Sequence, residues 1–158
     1  MNIVREHINE KFSEESDPIQ DMGIGIIHKI EKWIGMINRI SNNNQCDGIR
    51  NYTINNDGTI DCQGFTALPD NCGNFPEYIN FNKIDGEFII CNCNMTTLRG
   101  CPKIVTGDFD CRFNKLTSLE YCPEIIGKKF MCGGNKKRFT REYVQKYCKI
   151  AKDKIRTT

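Results

Sequence analysis

Five of the ten cysteines, Cys91, Cys101, Cys111, Cys122 and Cys132, recur ten or eleven residues apart. Regular sulfur suggests metal ligation, but zinc sites pair their ligands through short C-x2-C-type spacings, used twice. Here the nearest pair is Cys91 and Cys93, no CxxC occurs, and the two histidines, His7 and His28, lie far away in sequence. No metal site and no cofactor are therefore expected. With no basic-then-apolar leader in "MNIVREHINEKFSEESDP", the cysteines are expected to be reduced thiols. Asp108 and Asp110, either side of Phe109, are the one carboxylate pair placed to act together. Acid–base chemistry needs burial to separate their pKa values, and an outward position on an open strand face offers none. No Ser-His-Asp or Cys-His arrangement is suggested, so no enzyme is expected.

Charge is small in total, +2, but uneven. Residues 1–34 carry four Lys/Arg against seven Asp/Glu, net −3, and residues 128–158 carry eleven against two, net +9. The basic end is a solvated terminal face or, as an alternative, a nucleic-acid-binding segment through 128–158. No run of 18 apolar residues exists, so no membrane-spanning helix is expected.

Residues 1–40 read as an N-terminal helical region. Ile3, Val4, His7, Ile8 and Phe12 lie on one helical face. A second helix is expected to start with Asp17 as cap and Pro18 at its first position. Its apolar face would be Ile19, Met22, Ile26, Ile30, Trp33 and Ile37, running to Ile40. Gly23 and Gly25 inside it imply close backbone packing or a kink, since each weakens a helix by about 1 kcal/mol relative to Ala. Residues 41–50 form a polar connector. In "NYTINNDGTIDC", Asp57-Gly58 between β-prone residues signals a hairpin.

From there "CPKIVTGDFDCRFNKLTSLEY" is followed 21 residues later by "CPEIIGKKFMCGGNKKRFTRE". Without gaps, Gly86 meets Gly107, Phe88 meets Phe109, Ile90 meets Cys111, Cys93 meets Asn114, and Leu98 meets Leu119. Phe130, Cys132 and Asn135 continue the series. The skeleton Φ-x-Φ-x-x-(N/C)-x-Φ-x-x-Φ, Φ being apolar, resembles the leucine-rich repeat in pattern and period. Φ-x-Φ would be a short strand, with Cys111 and Cys132 pointing inward as small hydrophobes. Asn114 and Asn135 would bind unpaired backbone groups at the turn, with Cys93 a weaker variant. Neighbouring rungs bring Cys111 and Cys132 within disulfide-forming reach. One rung alone does not bury enough to fold, so a stack with caps is required.

The expected architecture is α+β: a short leucine-rich-repeat-like solenoid of period 21, with N-terminal helices and a C-terminal capping helix. The hairpin and solenoid occupy 51–138. The cap occupies 139–158, with Thr140 as N-cap and Val144, Tyr147, Cys148, Ala151 and Ile155 on one helical face. Outward strand positions form the rows Glu87, Asp108, Lys129; Ile89, Asp110, Met131; and Cys91, Arg112, Gly133. Mixed charge with apolar area suits protein recognition better than nucleic acid.

Three stretches carry a resemblance. "GDFDCRFNKLTSLEYCPEIIG" is similar to repeats, written GDFxCxxNxLTSLxGxPxxVGG, of uncharacterised tailed-bacteriophage leucine-rich-repeat-like proteins. "FSEESDPIQDMGIG" resembles an N-terminal motif in such proteins, and "YTINNDGTID" is similar to the hairpin that precedes their repeats. This chain differs at Cys101 and Cys122, where Ala or Ser is usual, and Lys137 stands in the last Leu place. The resemblance implies a phage-encoded, non-enzymatic module acting in the host bacterial cytoplasm on a host or phage protein, or alternatively a virion or assembly component.

Overall fold

The structure, a computed structural model, describes the backbone of residues 18–158 and side chains from residue 23 onward. The expected Ile3–Phe12 stripe and the Asp17 cap lie outside the described residues.

Helix α1 (Pro18–Asn43) is one continuous element. Its buried side is Ile30, Trp33, Ile34, Ile37 and Ser41, whereas Ile26 and Ile40 are 44% and 37% exposed. Ile30, Trp33 and Ile37 of the expected face are thus inward, and Ile34 and Ser41 widen it to one side; the side chains of Ile19 and Met22 lie outside the described residues. The second half of the helix packs on the first coils of the chain, where the Trp33 ring stands edge-on to Phe75 at 5.9 Å, and Ile26 reaches the hairpin turn, 3.6 Å from where a Cβ on Gly58 would stand. Residues 23–29 are all exposed. Among the described residues, a Cβ on Gly23 or Gly25 would meet nothing within 4 Å, so neither glycine serves a close approach to a described backbone. Asn38 pins the connector to the helix: its Oδ1 accepts from Ile49 N–H and its Nδ2 donates to Ile49 C=O, both at 2.7 Å.

The hairpin forms as its turn residues require. Strand β1 (Asn51–Ile54) pairs antiparallel with β2 (Ile60–Gln63). Gly58 takes the positive φ of the turn at 79°. Asp57 Oδ1 accepts from Thr59 N–H at 3.0 Å and from its hydroxyl at 2.7 Å.

Beyond the hairpin the chain is a β-solenoid with a repeat of about 21 residues, carrying two strands per rung. The first strands of the rungs are β2, β4 (Phe81–Asp85), β6 (Ile104–Val105) and β8 (Ile125–Ile126); with β1 they form one five-stranded sheet. The second strands, β3 (Thr66–Ala67), β5 (Phe88–Ile89), β7 (Phe109–Asp110) and β9 (Phe130–Met131), stack into the other, here the second sheet. All rung-to-rung pairs are parallel, with Thr66, Phe88, Phe109 and Phe130 in register. The Φ-x-Φ strand was expected; the second strand of each rung was not. The two strands of a rung meet at a corner where rungs approach closely. A Cβ on Gly86 would lie 2.1 Å from Gly64 O, and one on Gly107 would lie 2.6 Å from Gly86 O.

Repetition turns single residues into columns. Trp33, Phe75, Phe81, Phe88, Phe109 and Phe130 form an unbroken aromatic spine, with centroid spacings between 5.2 and 6.1 Å. Such contacts stabilise beyond area burial by about 0.5–1.5 kcal/mol per pair. In the turn column, Asn114 Oδ1 accepts from Met95 N–H at 2.9 Å, and its Nδ2 donates to Ile90 C=O at 2.8 Å and Cys111 C=O at 3.1 Å. Asn135 repeats this one rung on with Leu116, Cys111 and Cys132. Cys93 holds the same place with a thiol, directed at Pro69 C=O at 3.5 Å. Cys72, 21 residues earlier in the same column, extends it by a position the sequence reading left out.

The C-terminal cap differs from the single helix expected. Thr140 does cap, its hydroxyl accepting from Tyr143 N–H at 3.1 Å, but helix α2 is one turn, Arg141–Val144. A 3-10 turn (Lys152–Lys154) follows, then strand β10 (Ile155–Arg156), parallel to β9. Val144, Cys148 and Ile155 are buried as expected of a capping face, whereas Tyr147 and Ala151 are exposed. The reason lies in the backbone. A helix satisfies its own N–H and C=O groups, whereas the edge of β9 needs a strand beside it. Accordingly, Cys132 N–H donates to Arg156 C=O at 2.9 Å.

Candidate functional site

The outer side of the second sheet carries the row Ala67, Ile89, Asp110, Met131 and Arg156, fixed by strand register. Three of the seven expected contact residues, Ile89, Asp110 and Met131, are thus neighbours. Ile89 and Met131 are half-buried. Asp110 departs from expectation: it faces outward in the alternation yet is only 3% exposed. Its flanking neighbours are apolar, and the Arg112 side chain folds back over it. Arg112 Nε donates to Oδ1 at 2.9 Å, Nη2 to Oδ2 at 2.7 Å, and Arg112 N–H to Oδ1 at 3.0 Å. The same hydrogen bonding raises the already high pKa of the Arg112 guanidinium. A two-pronged pair of this kind is strong and fixes direction.

The first expected row sits at the corner. Asp108 Oδ1 accepts from Lys129 N–H at 2.9 Å, so this carboxylate caps the next rung rather than standing free. Glu87 is half-buried and Lys129 exposed. In the third row, Cys91 is half-buried beside Arg112, its thiol pKa raised by burial first and the Asp110 charge second.

Next to Arg112 stands a residue the sequence reading passed over. Asn71, Asn92, Phe113 and Gly134 occupy one column and share a left-handed backbone, with φ of 60°, 54°, 54° and 67°. Asn and Gly adopt this conformation readily; a bulky residue rarely does. Phe113 is nevertheless there, 60% exposed. Its ring lies against Gly134, where an added Cβ would be 2.4 Å from Phe113 Cδ1. The Arg112 guanidinium sits 5.8 Å from the ring centroid. The signal was present in the 21-residue alignment: a Phe occurs where the other rungs have Asn or Gly. The cluster Asp110–Arg112–Phe113 is therefore an exposed aromatic ring braced by a clamped arginine, on a backbone held in a costly conformation.

A second surface lies at the basic end. Phe139, Tyr143 and Tyr147 stack in sequence with centroids 5.5 and 5.3 Å apart. Lys137 Nζ is 4.2 Å from the Tyr143 ring centroid. Lys136, Arg138, Arg141 and Lys146 are exposed around them, while Lys152 pairs with Glu142.

All ten cysteines are free. Burial pushes the thiols of Cys62, Cys132 and Cys148 up to about 12 and raises those of Cys101 and Cys111 well above the ordinary value. These are protonated core atoms rather than reactive thiolates. Among the described residues, no group of three or more His, Cys, Asp or Glu side chains is placed to hold a metal ion, and no helix is long and apolar enough to cross a membrane. No protein-family model, curated protein or solved structure matches this chain.

Proposed function

We propose that this chain is a non-enzymatic, phage-encoded protein-binding module of leucine-rich-repeat kinship, acting on a host or phage protein in the infected bacterial cytoplasm. The observation that carries it is Phe113. An exposed aromatic ring on left-handed backbone, braced by Arg112 and Gly134, is an arrangement that folding alone disfavours and binding explains. Aromatic and arginine side chains are enriched in recognition interfaces and their hot spots, and the Asp110 clamp has already fixed the Arg112 rotamer. Ile89 and Met131 supply apolar surroundings, and Glu87, Asp108 and Lys129 a charged rim. The resemblance of the repeats to those of phage proteins supports the source and the compartment.

The test is affinity capture from infected cells with the wild-type chain and with Phe113→Asn, which restores the residue type of the neighbouring rungs. A partner retained by the wild type and reduced at least tenfold with the variant is the expected result. Equal capture by both removes Phe113 from the interface. Mass spectrometry of purified particles decides the alternative role: stoichiometric presence makes the chain a virion component, with the repeats as scaffold.

A second reading, nucleic-acid binding through 128–158, is favoured by the Lys137–Tyr143–Tyr147 stack, because rings interleaved with cations are what single strands pack against. It requires retention on DNA or RNA that falls steeply between 50 and 200 mM salt, as counterion release dictates.

A further inference from the structure

A cleft of about 660 Å³ lies along α1 and Tyr78, outside the second sheet. Its rim is cationic: Lys29, Lys32 and Arg39. None of them joins an ion pair among the described residues, whose pairs are Arg99–Glu77, Arg112–Asp110 and Lys152–Glu142. Its floor is apolar, made of Trp33, Met36 and Tyr78, of which Met36 is 47% and Tyr78 37% exposed. Gly35 leaves bare helix backbone at the edge of that floor, where a Cβ would stand in open space. On a helix, positions 29, 32, 36 and 39 share one face about 15 Å long, and Glu31, about 100° from Lys32, lies one turn before Gly35 at the edge of that face. Net charge by segment hides this face, because the acids of residues 1–34 outnumber its lysines.

We propose that this cleft binds an acidic, amphipathic peptide segment of a partner protein. Carboxylates on the segment meet Lys29 and Lys32 at one end and Arg39 at the other. An apolar side chain between them lies over the bare backbone of Gly35, beside Met36 and Tyr78. Helix-in-groove recognition works in this way, with apolar anchors giving affinity and the charged rim giving orientation and on-rate. A single-stranded nucleic acid fits less well. It needs successive open ring faces, and Trp33 is only 7% exposed, leaving Tyr78 alone.

Trp33 is the only tryptophan in the chain, so its fluorescence reports on the cleft directly. The full chain is titrated with a helical peptide of about 14 residues carrying Glu and Leu along one face at helical spacing. A scrambled peptide of equal composition and an oligothymidylate serve as comparison ligands. Saturable change with the first peptide is expected, weaker by at least tenfold for the scrambled peptide, for Lys29→Glu/Lys32→Glu and for Gly35→Leu, and unaltered by Phe113→Asn. All these positions lie on the exposed side of α1 or on an exposed loop, and circular dichroism confirms that the variants fold. No saturation with the peptide, equal affinity of the charge-reversed chain, or saturation with oligothymidylate alone overturns the proposal. The insensitivity to Phe113→Asn keeps this result separate from the fate of the second-sheet reading.

Discussion

At the scale of single residues, column position decides what a side chain does. Asn114 makes bonds to Met95 N–H, Ile90 C=O and Cys111 C=O from a 6% exposed site. Asn114→Ala strands those groups, and a buried unsatisfied donor or acceptor costs about 1–3 kcal/mol. A loss of about 3 kcal/mol in urea unfolding is expected, with a smaller one for the half-buried Asn135→Ala. Phe113 behaves in the opposite sense. Left-handed backbone costs a non-glycine residue about 1–2 kcal/mol, and Asn tolerates it better. Phe113→Asn should therefore leave the melting temperature unchanged or higher while weakening partner capture, and a lower melting temperature would mean that the ring is a structural contact. The thiols give a pH signature. Folded Cys132 ionises at about 12 against an ordinary value of 9, so above pH 9 the unfolded chain holds fewer protons than the folded one. Stability from this thiol is complete below pH 9 and is lost as pH rises towards 12. Cys132→Val should make the fall of unfolding free energy between pH 9.5 and 11 shallower by about 1.4 kcal/mol per pH unit.

At the scale of elements, the glycines separate into two kinds. Those at the solenoid corner permit stacking: a Cβ on Gly86 would sit 2.1 Å from Gly64 O, a backbone atom without freedom to yield. Gly86→Ala is expected to destabilise by about 2–4 kcal/mol, seen as a fall in melting temperature. Among the described residues, nothing lies within 4 Å of where a Cβ on Gly23 or Gly25 of α1 would stand. Gly23→Ala/Gly25→Ala should increase helical circular dichroism, in line with about 1 kcal/mol of helix propensity at each site, with little movement of the solenoid melt. The difference follows from where α1 touches the rungs. Ile30, Trp33, Ile34 and Ile37 are buried there, and residues 23–29 are not.

At the scale of the whole molecule, a solenoid is a stack whose stability depends on its ends. The connector reaches the first strand of the second sheet, with Ala67 N–H donating to Gly48 C=O at 3.3 Å. The last strand is closed by β10, whose Ile155 is fully buried. Removing residues 152–158 uncovers the β9 edge and the Cys132 N–H that Arg156 C=O accepts from. An open edge pairs with other chains, and a lost buried Ile costs about 2–5 kcal/mol. The shortened chain should melt at lower temperature and associate in light scattering, whereas Arg156→Ala, which keeps the strand, should do neither.

The sequence by itself determined the period, the inward Φ-x-Φ columns, the asparagine turn and the Asp57-Gly58 hairpin. Each of these rests on local chemistry that is repeated at 21 residues, and repetition makes it visible. The tertiary structure alone decided the rest. Strands as short as Ile104–Val105 and Ile125–Ile126 are too brief to display an alternation. They exist because the rungs above and below supply backbone partners. Asp110 was legible as outward-facing but not as buried, because alternation gives the side of a sheet and the flanking rungs give the cover. The C-terminal strand, the widened inner face of α1 and the cationic cleft beside Tyr78 likewise depend on which surface each segment meets, and that is a property of the stack rather than of any one stretch of chain.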